Sequence, residues 1–437
     1  MGGSINGEGS ISVEVRKIGS ETYLNQVIEL VRQAQESKSK TQDLADNAAR
    51  WLTIISLSVG AITLVAWLYF TKDSAFAVER AVTVMVISCP HALGLAVPLV
   101  VAVSTSLAAK SGLLIRDRSA FEKARDLQAV VFDKTGTLTE GRFGITDIIT
   151  LANLNENEVL RMTASLEANS EHPIAAGIVE SSQEKGIELV QIHEFKAIPG
   201  KGIEGQDQGK RWMVVSPGYL RERKIDPKDE RLDKLSHQGK TVVFLLNEDR
   251  PIGAIALADI IRHESREAID KLKSMNVKCM MLTGDNHFVA KWVAEDLGLD
   301  DFFAEVLPHE KAQAIKNVQK KYIVAMVGDA VNDAPALVQA DVGIAIGAGT
   351  DVAVESADIV LVRNDPRDVA NILSLSKKTY SKMSQNLMWA TGYNAIAIPL
   401  AAGVLYSYGI LLSPAVGAIL MSTSTVIVAI NARLLKM

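Results

Sequence analysis

The sequence predicts a parallel α/β domain, interrupted by an α+β insertion and carried on a membrane region of four helices. Three observations lead there. Apolar residues are segregated into charge-free stretches long enough to cross a bilayer. The polar middle of the chain alternates strand-like and helical patterns. Several of its short apolar runs end on an aspartate. At 437 residues the chain suggests two or three folded units. With 46 basic and 51 acidic residues, giving a formal charge of −5, it lacks the basic excess of a nucleic-acid binder. Its 48% hydrophobic and 22% charged content excludes intrinsic disorder. Two cysteines, Cys89 and Cys279, exclude a disulfide framework and a four-cysteine zinc site, so reduced thiols are expected.

The amino-terminal residues 1–20 read as a Gly-rich strand tail with no cleavable signal peptide, and 21–50 as an amphipathic helix. Trp51–Phe70 and Ala81–Ala109 carry no charged residue, so each is expected to span. A third charge-free stretch, Met383–Ala432, is broken at Ser407, Gly409, Ser413 and Pro414 into spans at 384–406 and 413–432. Four crossings return both ends to one side. The cationic flanks (Lys38, Lys40 and Arg50; Lys110, Arg116 and Arg118; Lys377, Lys378 and Lys382; Arg433 and Lys436) fall on that side, making the middle section cytoplasmic.

Within that section Ala129–Asp133 is a buried-strand pattern ending in a carboxylate. Lys278–Leu282 leads into Thr283-Gly284-Asp285, and Tyr322–Val327 into Gly328-Asp329. Ligands of open α/β sheets bind at the carboxyl ends of strands, so Asp133, Thr283, Asp285, Asp329 and Asp333 are expected to converge. Carboxylates suit a hard divalent cation, and a strand-end aspartate can act as nucleophile toward phosphate. Any one of them could equally be a helix cap or turn former; three strand ends together favour chemistry.

The spans carry a second constellation. Cys89, Pro90 and His91 sit in mid-membrane, where proline kinks a helix and sulfur and imidazole nitrogen can face a cavity. The third span adds Asn386, Tyr393 and Asn394, and the fourth Met421, Ser422 and Thr425. Polar groups in lipid are expensive, so these are candidate ligands. Cysteine, histidine and a thioether suit copper or silver better than calcium or magnesium, and the spans lack the carboxylate expected of a zinc site. Taken singly, cysteine and methionine are also ordinary packers, and asparagine, serine and threonine often link membrane helices.

Asp133-Lys134-Thr135-Gly136-Thr137-Leu138-Thr139, followed by Thr283-Gly284-Asp285 and by Gly328-Asp329-Ala330-Val331-Asn332-Asp333, resembles the phosphorylation signature of P-type ATPases. Cys89-Pro90-His91 resembles the copper- and silver-translocating subclass of their heavy-metal members, as do Ser170-Glu171-His172-Pro173, Asn386, Tyr393-Asn394 and 421–425. The match runs over essentially the whole chain.

The resemblance implies a haloacid-dehalogenase-like phosphorylation domain in two parts, 111–144 and 259–370, around a nucleotide-binding domain at 145–258. In it Asp133 would attack the γ-phosphate of ATP, with Lys134, Thr135, Thr283, Gly284, Asp285, Lys311 and Asn332 about the phosphate. Magnesium would be held by Asp133, Thr135, Asp329 and Asp333. Glu167, His172, Gly200, Gly202 and Gly205 would contact ATP, the glycines in a turn; alone they would be weak evidence for a dinucleotide site, and no Walker A sequence occurs. His193, His237, His263, His287 and His309 read as ordinary histidines. Cu+, Cu2+ or Ag+ would be the cargo, exported by a multi-pass protein of the plasma membrane.

Two departures accompany the match. Ala330 stands where the family has glycine, tolerable at negative φ and costly otherwise. Residues 1–20 resemble only the end of an actuator domain, so a fragment, or one half of a split pump completed by a chain with the missing actuator and helices, is expected. A membrane-anchored phosphohydrolase and a non-catalytic metal-binding subunit are the other classes. The first has no need of Ser170–Pro173 or Cys89–His91, the second none of an intact Asp133-Lys134-Thr135-Gly136.

Overall fold

A computed structural model describes residues 40–437 except 171, 199–200, 238–239 and 348–350. The expected strand tail at 1–20, most of the linker helix at 21–50, and Gly200 lie outside the described residues. The chain forms two units, 1–127 with 321–325 and 337–437, and 128–320 with 326–336.

In the first unit the Lys40–Thr71 helix joins the described end of the expected linker to the first span without a break. The second expected span is not one kinked helix but three segments, Ser74–Ile87, His91–Ala96 and Pro98–Lys110. The first break was legible from Pro90. The second falls at Val97, because Pro98 opens the next helix and has no N–H to continue the last one. The third expected span lies inside the Arg367–Ala402 helix, which starts well before it and stops at Gly403, φ +88°. The Trp67 indole donates to Ala402 O at 2.8 Å and leaves no room for a Cβ at Gly403. The fourth is the Pro414–Arg433 helix, capped by the Ser413 hydroxyl.

Three segments among the described residues are long and apolar enough to cross a membrane: 41–71, 74–110 and 414–433. The 367–402 helix is not among them, its apolar half being diluted by Gln385, Asn386, Tyr393 and Asn394.

This unit also holds β1 (Leu113–Ile115). The second unit begins with β2 (Ala129–Asp133), a run of five buried residues. It then builds an antiparallel sheet from β3 (Thr139–Thr150), β4 (His193–Ile198), β5 (Gly202–Asp207), β6 (Lys210–Val215), β7 (Thr241–Asn247) and β8 (Arg250–Ile261), in the order β3-β8-β7-β6-β5-β4. Side chains alternate across it, as a period of two requires. Val214, Leu245 and Ile255 pack with Leu160, Leu166 and Ile178 of the 156–167 and 173–184 helices. Met213, Val215, Phe244 and Leu246 pack with Tyr219, Leu220, Leu232 and Leu235 of the 217–223 and 230–237 helices. Each such fully buried side chain contributes about 1.5–3 kcal/mol. The residues expected to form an insertion at 145–258 lie within the span of this sheet, whose first and last strands in sequence, β3 and β8, already pair at Thr139 and Ile261, outside those bounds.

Then come β9 (Lys278–Leu282) and β10 (Asp301–Phe303), with β9 parallel to both β2 and β10. β11 (Val324–Gly328) carries the chain from the first unit into the second. β12 (Val342–Ile346) and β13 (Ile359–Leu361) belong to the first, where β13 pairs parallel with β12 and antiparallel with β1.

Candidate functional site

Register places the site. Asp133 ends β2 opposite Leu282, so Lys134 and Thr283 both leave the sheet at its carboxyl edge. Gly136 turns the following loop at φ +77°, and a Cβ there would lie 2.2 Å from Asp329 Oδ2, so only glycine fits. Gly328 is fixed by the same crowding, its missing Cβ being 2.6 Å from Asp333 Oδ2. Asp333 closes a short turn, its N–H on Ala330 O at 3.0 Å and its Oδ2 accepting from Ala330 N at 3.2 Å. Ala330 itself has φ −113°, extended backbone in which a methyl group is unstrained.

Asp133, Asp329 and Asp333 bring ligand oxygens within 4.8 Å of one another. Lys311 donates to Asp133 Oδ1 at 2.5 Å and to Asp333 Oδ1 at 2.7 Å. Burial, then the neighbouring Asp333 charge, pushes the Asp133 carboxyl up to about 7 against the pull of Lys311. Asp329 is raised as well, chiefly by burial. Burial works against the Lys311 charge, yet the two carboxylates hold its ammonium above its ordinary value.

Asp329 Oδ1 is buried without a hydrogen-bond partner among the described residues. Three converging carboxylates, one with an oxygen left unpartnered, fit a hard divalent cation such as magnesium. Beside them Lys134 pairs with Asp285 at 2.7 Å, and the Thr283 hydroxyl donates to the same carboxylate at 2.9 Å. Thr135, Gly284 and Asn332 are exposed at the rim.

Sequence reading missed Asp259 and Arg262. Asp259, near the end of β8, accepts from Thr139 Oγ1 at 2.6 Å and Gly141 N at 3.1 Å, and lies 3.5 Å from Lys134 Nζ. Arg262 donates to Thr139 O and Gly136 O. Both fix the loop that carries Lys134, and the signal was there: Asp259 is one more aspartate close to a strand end.

In the insertion Glu167 is buried at the end of the 156–167 helix, and burial pushes its carboxyl up to about 7. His172 is exposed and caps the next helix, its Nδ1 accepting from Ile174 N at 3.3 Å. Gly202 and Gly205 lie on β5 rather than in the expected turn. A Cβ at Gly202 would meet Val214 O, and one at Gly205 would meet Ile192 and Leu166, the neighbour of Glu167. Of the ordinary histidines, His193, His263, His287 and His309 are exposed.

The membrane candidates surround the broken helix of the first unit. Cys89 and His91 are exposed on either side of Pro90. The Tyr393 hydroxyl donates to Ile87 O at 3.3 Å. Asn394 is buried, with Nδ2 on Ala390 O of its own helix and Oδ1 unpartnered. Asn386 is buried with its amide fully engaged. Met421 and Thr425 are half-buried, whereas Ser422 is exposed and bonded to Ala418 O. The buried, unpartnered hydroxyl of that helix is Ser424, two residues on, a difference of face that spacing along a polar run does not reveal.

Residues 127–341 match the haloacid dehalogenase-like hydrolase family. The whole chain is 74% identical to a copper-exporting P-type ATPase B of Archaeoglobus fulgidus and covers 63% of that protein. It is 48% identical to a copper-exporting P-type ATPase B of Enterococcus hirae and covers 59% of it. The chain thus spans somewhat less than two thirds of these relatives. Among solved structures it is similar to a zinc-transporting PIB-type ATPase in its E2.Pi state, with 31% identity and TM-score 0.78, over 97% of this chain and 69% of that one.

Proposed function

The chain belongs to the heavy-metal-translocating PIB-type family of P-type ATPases, and from that premise we propose that it carries the phosphorylating and ion-binding machinery of an ATP-driven copper exporter. The observation that carries the reading is the pairing of one buried carboxylate cluster, Asp133 with Asp329 and Asp333, with one soft-donor break in a membrane helix, Cys89-Pro90-His91. A phosphohydrolase needs only the first of these.

In the proposed reaction Asp133 is the nucleophile. Lys311 occupies its Oδ1, which orients Oδ2 for attack on the γ-phosphorus of ATP. A bond forms from Oδ2 to phosphorus, the bond from phosphorus to the bridging oxygen breaks, and ADP leaves with the electron pair. Lys134 and the Thr283 hydroxyl, now spent on Asp285, are the donors placed to receive the phosphoryl oxygens. Asp133, Asp329 and Asp333 would hold magnesium, which supplies the positive charge that keeps buried carboxylates ionised beside a polyphosphate. Glu167, His172, Gly202 and Gly205 would take the rest of the nucleotide on the insertion.

Copper is the proposed cargo. The Cys89 thiolate and the Met421 thioether suit a monovalent soft ion, so silver would share the path. Asn394 Oδ1 adds a buried oxygen with no other partner. Energy stored in the aspartyl phosphate would bias the membrane helices between inward- and outward-facing ion sites in a plasma membrane, with the phosphorylation machinery cytoplasmic.

The test is acid-stable labelling of the chain in proteoliposomes from γ-phosphate-labelled ATP, with Cu+ or Zn2+. Label that rises with Cu+ but not Zn2+, and loses this response in Cys89→Ala, is expected. Label indifferent to both metals would point instead to a membrane-anchored phosphohydrolase.

A further inference from the structure

Asn386 and Asn394 lie on the same helix and are equally buried, yet they are used differently. Asn394 keeps an unpartnered oxygen. Asn386 has none to spare: Nδ2 donates to Ala96 O at 3.0 Å and Val428 O at 3.3 Å, and Oδ1 accepts from Asn431 Nδ2 at 2.8 Å. Asn431 Oδ1 in turn accepts from Lys382 Nζ at 2.7 Å. The series Lys382, Asn431, Asn386, Ala96 joins three helices, 367–402, 414–433 and 91–96, by side-chain hydrogen bonds.

Its far end explains its form. Ala96 is the last residue of the short helix that opens at His91, and carbonyls at a helix end lack donors from their own helix. The next helix opens with Pro98, whose missing N–H would in a continuous helix have met Gly94 O, so the break leaves this stretch of carbonyls short of donors. Asn386 supplies a donor at the place where the backbone is short of them, in a setting where an unsatisfied carbonyl is costly. Asn431 and Lys382 then hold the Asn386 amide in the one orientation that keeps its NH2 toward both carbonyls.

We propose that Lys382, Asn431 and Asn386 form a strut that sets the position of the Cys89-Pro90-His91 turn, and that Asn386 is a positioning residue rather than a ligand of the transported ion. What the turn binds rests on the copper reading; the strut does not.

The two cysteines provide the experiment, because Cys89 is exposed and Cys279 is buried. The full chain in detergent micelles is alkylated with a maleimide without metal, and Cu+ affinity is measured by competition with a chromophoric chelator. Asn386→Asp keeps an oxygen at the site but removes both N–H donors, and Asn431→Ala cannot touch the ion. Both are expected to change the Cys89 alkylation rate and weaken Cu+ binding by about threefold to tenfold, with Cys279 unreactive. Asn431→Ser, which keeps a donor, should fall between them and wild type. It decides by the same two readouts if the other variants expose Cys279.

Cu+ binding in Asn386→Asp as tight as wild type or tighter, with Asn431→Ala silent, would make Asn386 a ligand and overturn the proposal. Unchanged Cys89 alkylation in all variants would overturn it too. A wild type that binds no Cu+ while alkylation still shifts would sink the copper reading and leave the strut standing.

Discussion

The carboxylate cluster of the second unit and the broken helix of the first bury polar groups in opposite ways. At Asp133 the buried groups are charged, and they are balanced by other charges, with Lys311 between two aspartates and Lys134 on a third. Around Cys89 the buried groups are neutral amides and hydroxyls, balanced by backbone carbonyls that helix breaks have freed. A hard cation calls for the first arrangement; in the second the amides and hydroxyls are taken up by the backbone, and Cys89 and Met421 are the donors that would suit a soft ion. Each site takes its polar character from what its surroundings leave unpaired among the described residues: a carboxylate oxygen at Asp329, an amide oxygen at Asn394.

Removing the balancing charge tests the contrast hardest. Lys311→Met leaves buried aspartates facing one another and should cost about 3–5 kcal/mol of stability in magnesium-free buffer, with part recovered on adding magnesium. Thermal melting with and without the ion measures it, and an unchanged melting temperature would mean that the cluster is not charge-balanced by Lys311. Crowding comes next. Gly136→Ala puts a methyl group against Asp329 at positive φ and should cost about 2 kcal/mol, together with the phosphorylation label.

A buried carboxylate with no counter-charge among the described residues behaves differently. Glu167, held up to about 7 by burial, favours its neutral form in the folded state. Its contribution is therefore intact below the unfolded value near 4.5 and is lost as pH rises through about 7. Glu167→Gln should leave stability unchanged at pH 4.5 and raise it by about 1–2 kcal/mol at pH 8, read from paired denaturation curves. A gain at the acidic end would reverse the assignment. Ala330→Gly should do least. With φ already negative, glycine restores no strained backbone and loosens the unfolded chain, a loss of about 0.5–1 kcal/mol with phosphorylation intact.

Much of the carboxylate site is legible in the sequence because strand ends are. An apolar run closing on an aspartate fixes both the element and the edge of the sheet from which the carboxylate projects, and Asp133, Asp285 and Asp329 are found that way. Asp333, just past the strand end at Asp329, belongs to the same expected set, although nothing local says that a 3₁₀ turn folds it back onto Gly328; Lys311 comes only through the resemblance, since nothing local says that a helix start delivers it. The membrane region was less legible. Charge-free length gives spans, but not that Val97 breaks the second one, nor which face of 414–433 turns inward. A polar run in the sequence therefore offers the exposed Ser422 as readily as the buried Ser424. Nor does a polar residue in an apolar run say whether it serves an ion or another helix. Asn386 and Asn394 are the same residue on one helix, separated only by what lies across from them.

Asp133 is proposed to be the residue that takes phosphate. Quenching the labelled chain with borohydride reduces an aspartyl phosphate to homoserine, which peptide mass spectrometry locates by position. Homoserine is expected at 133, in proportion to the label and absent without ATP. Phosphate found on another residue, or label without homoserine at 133, would contradict it.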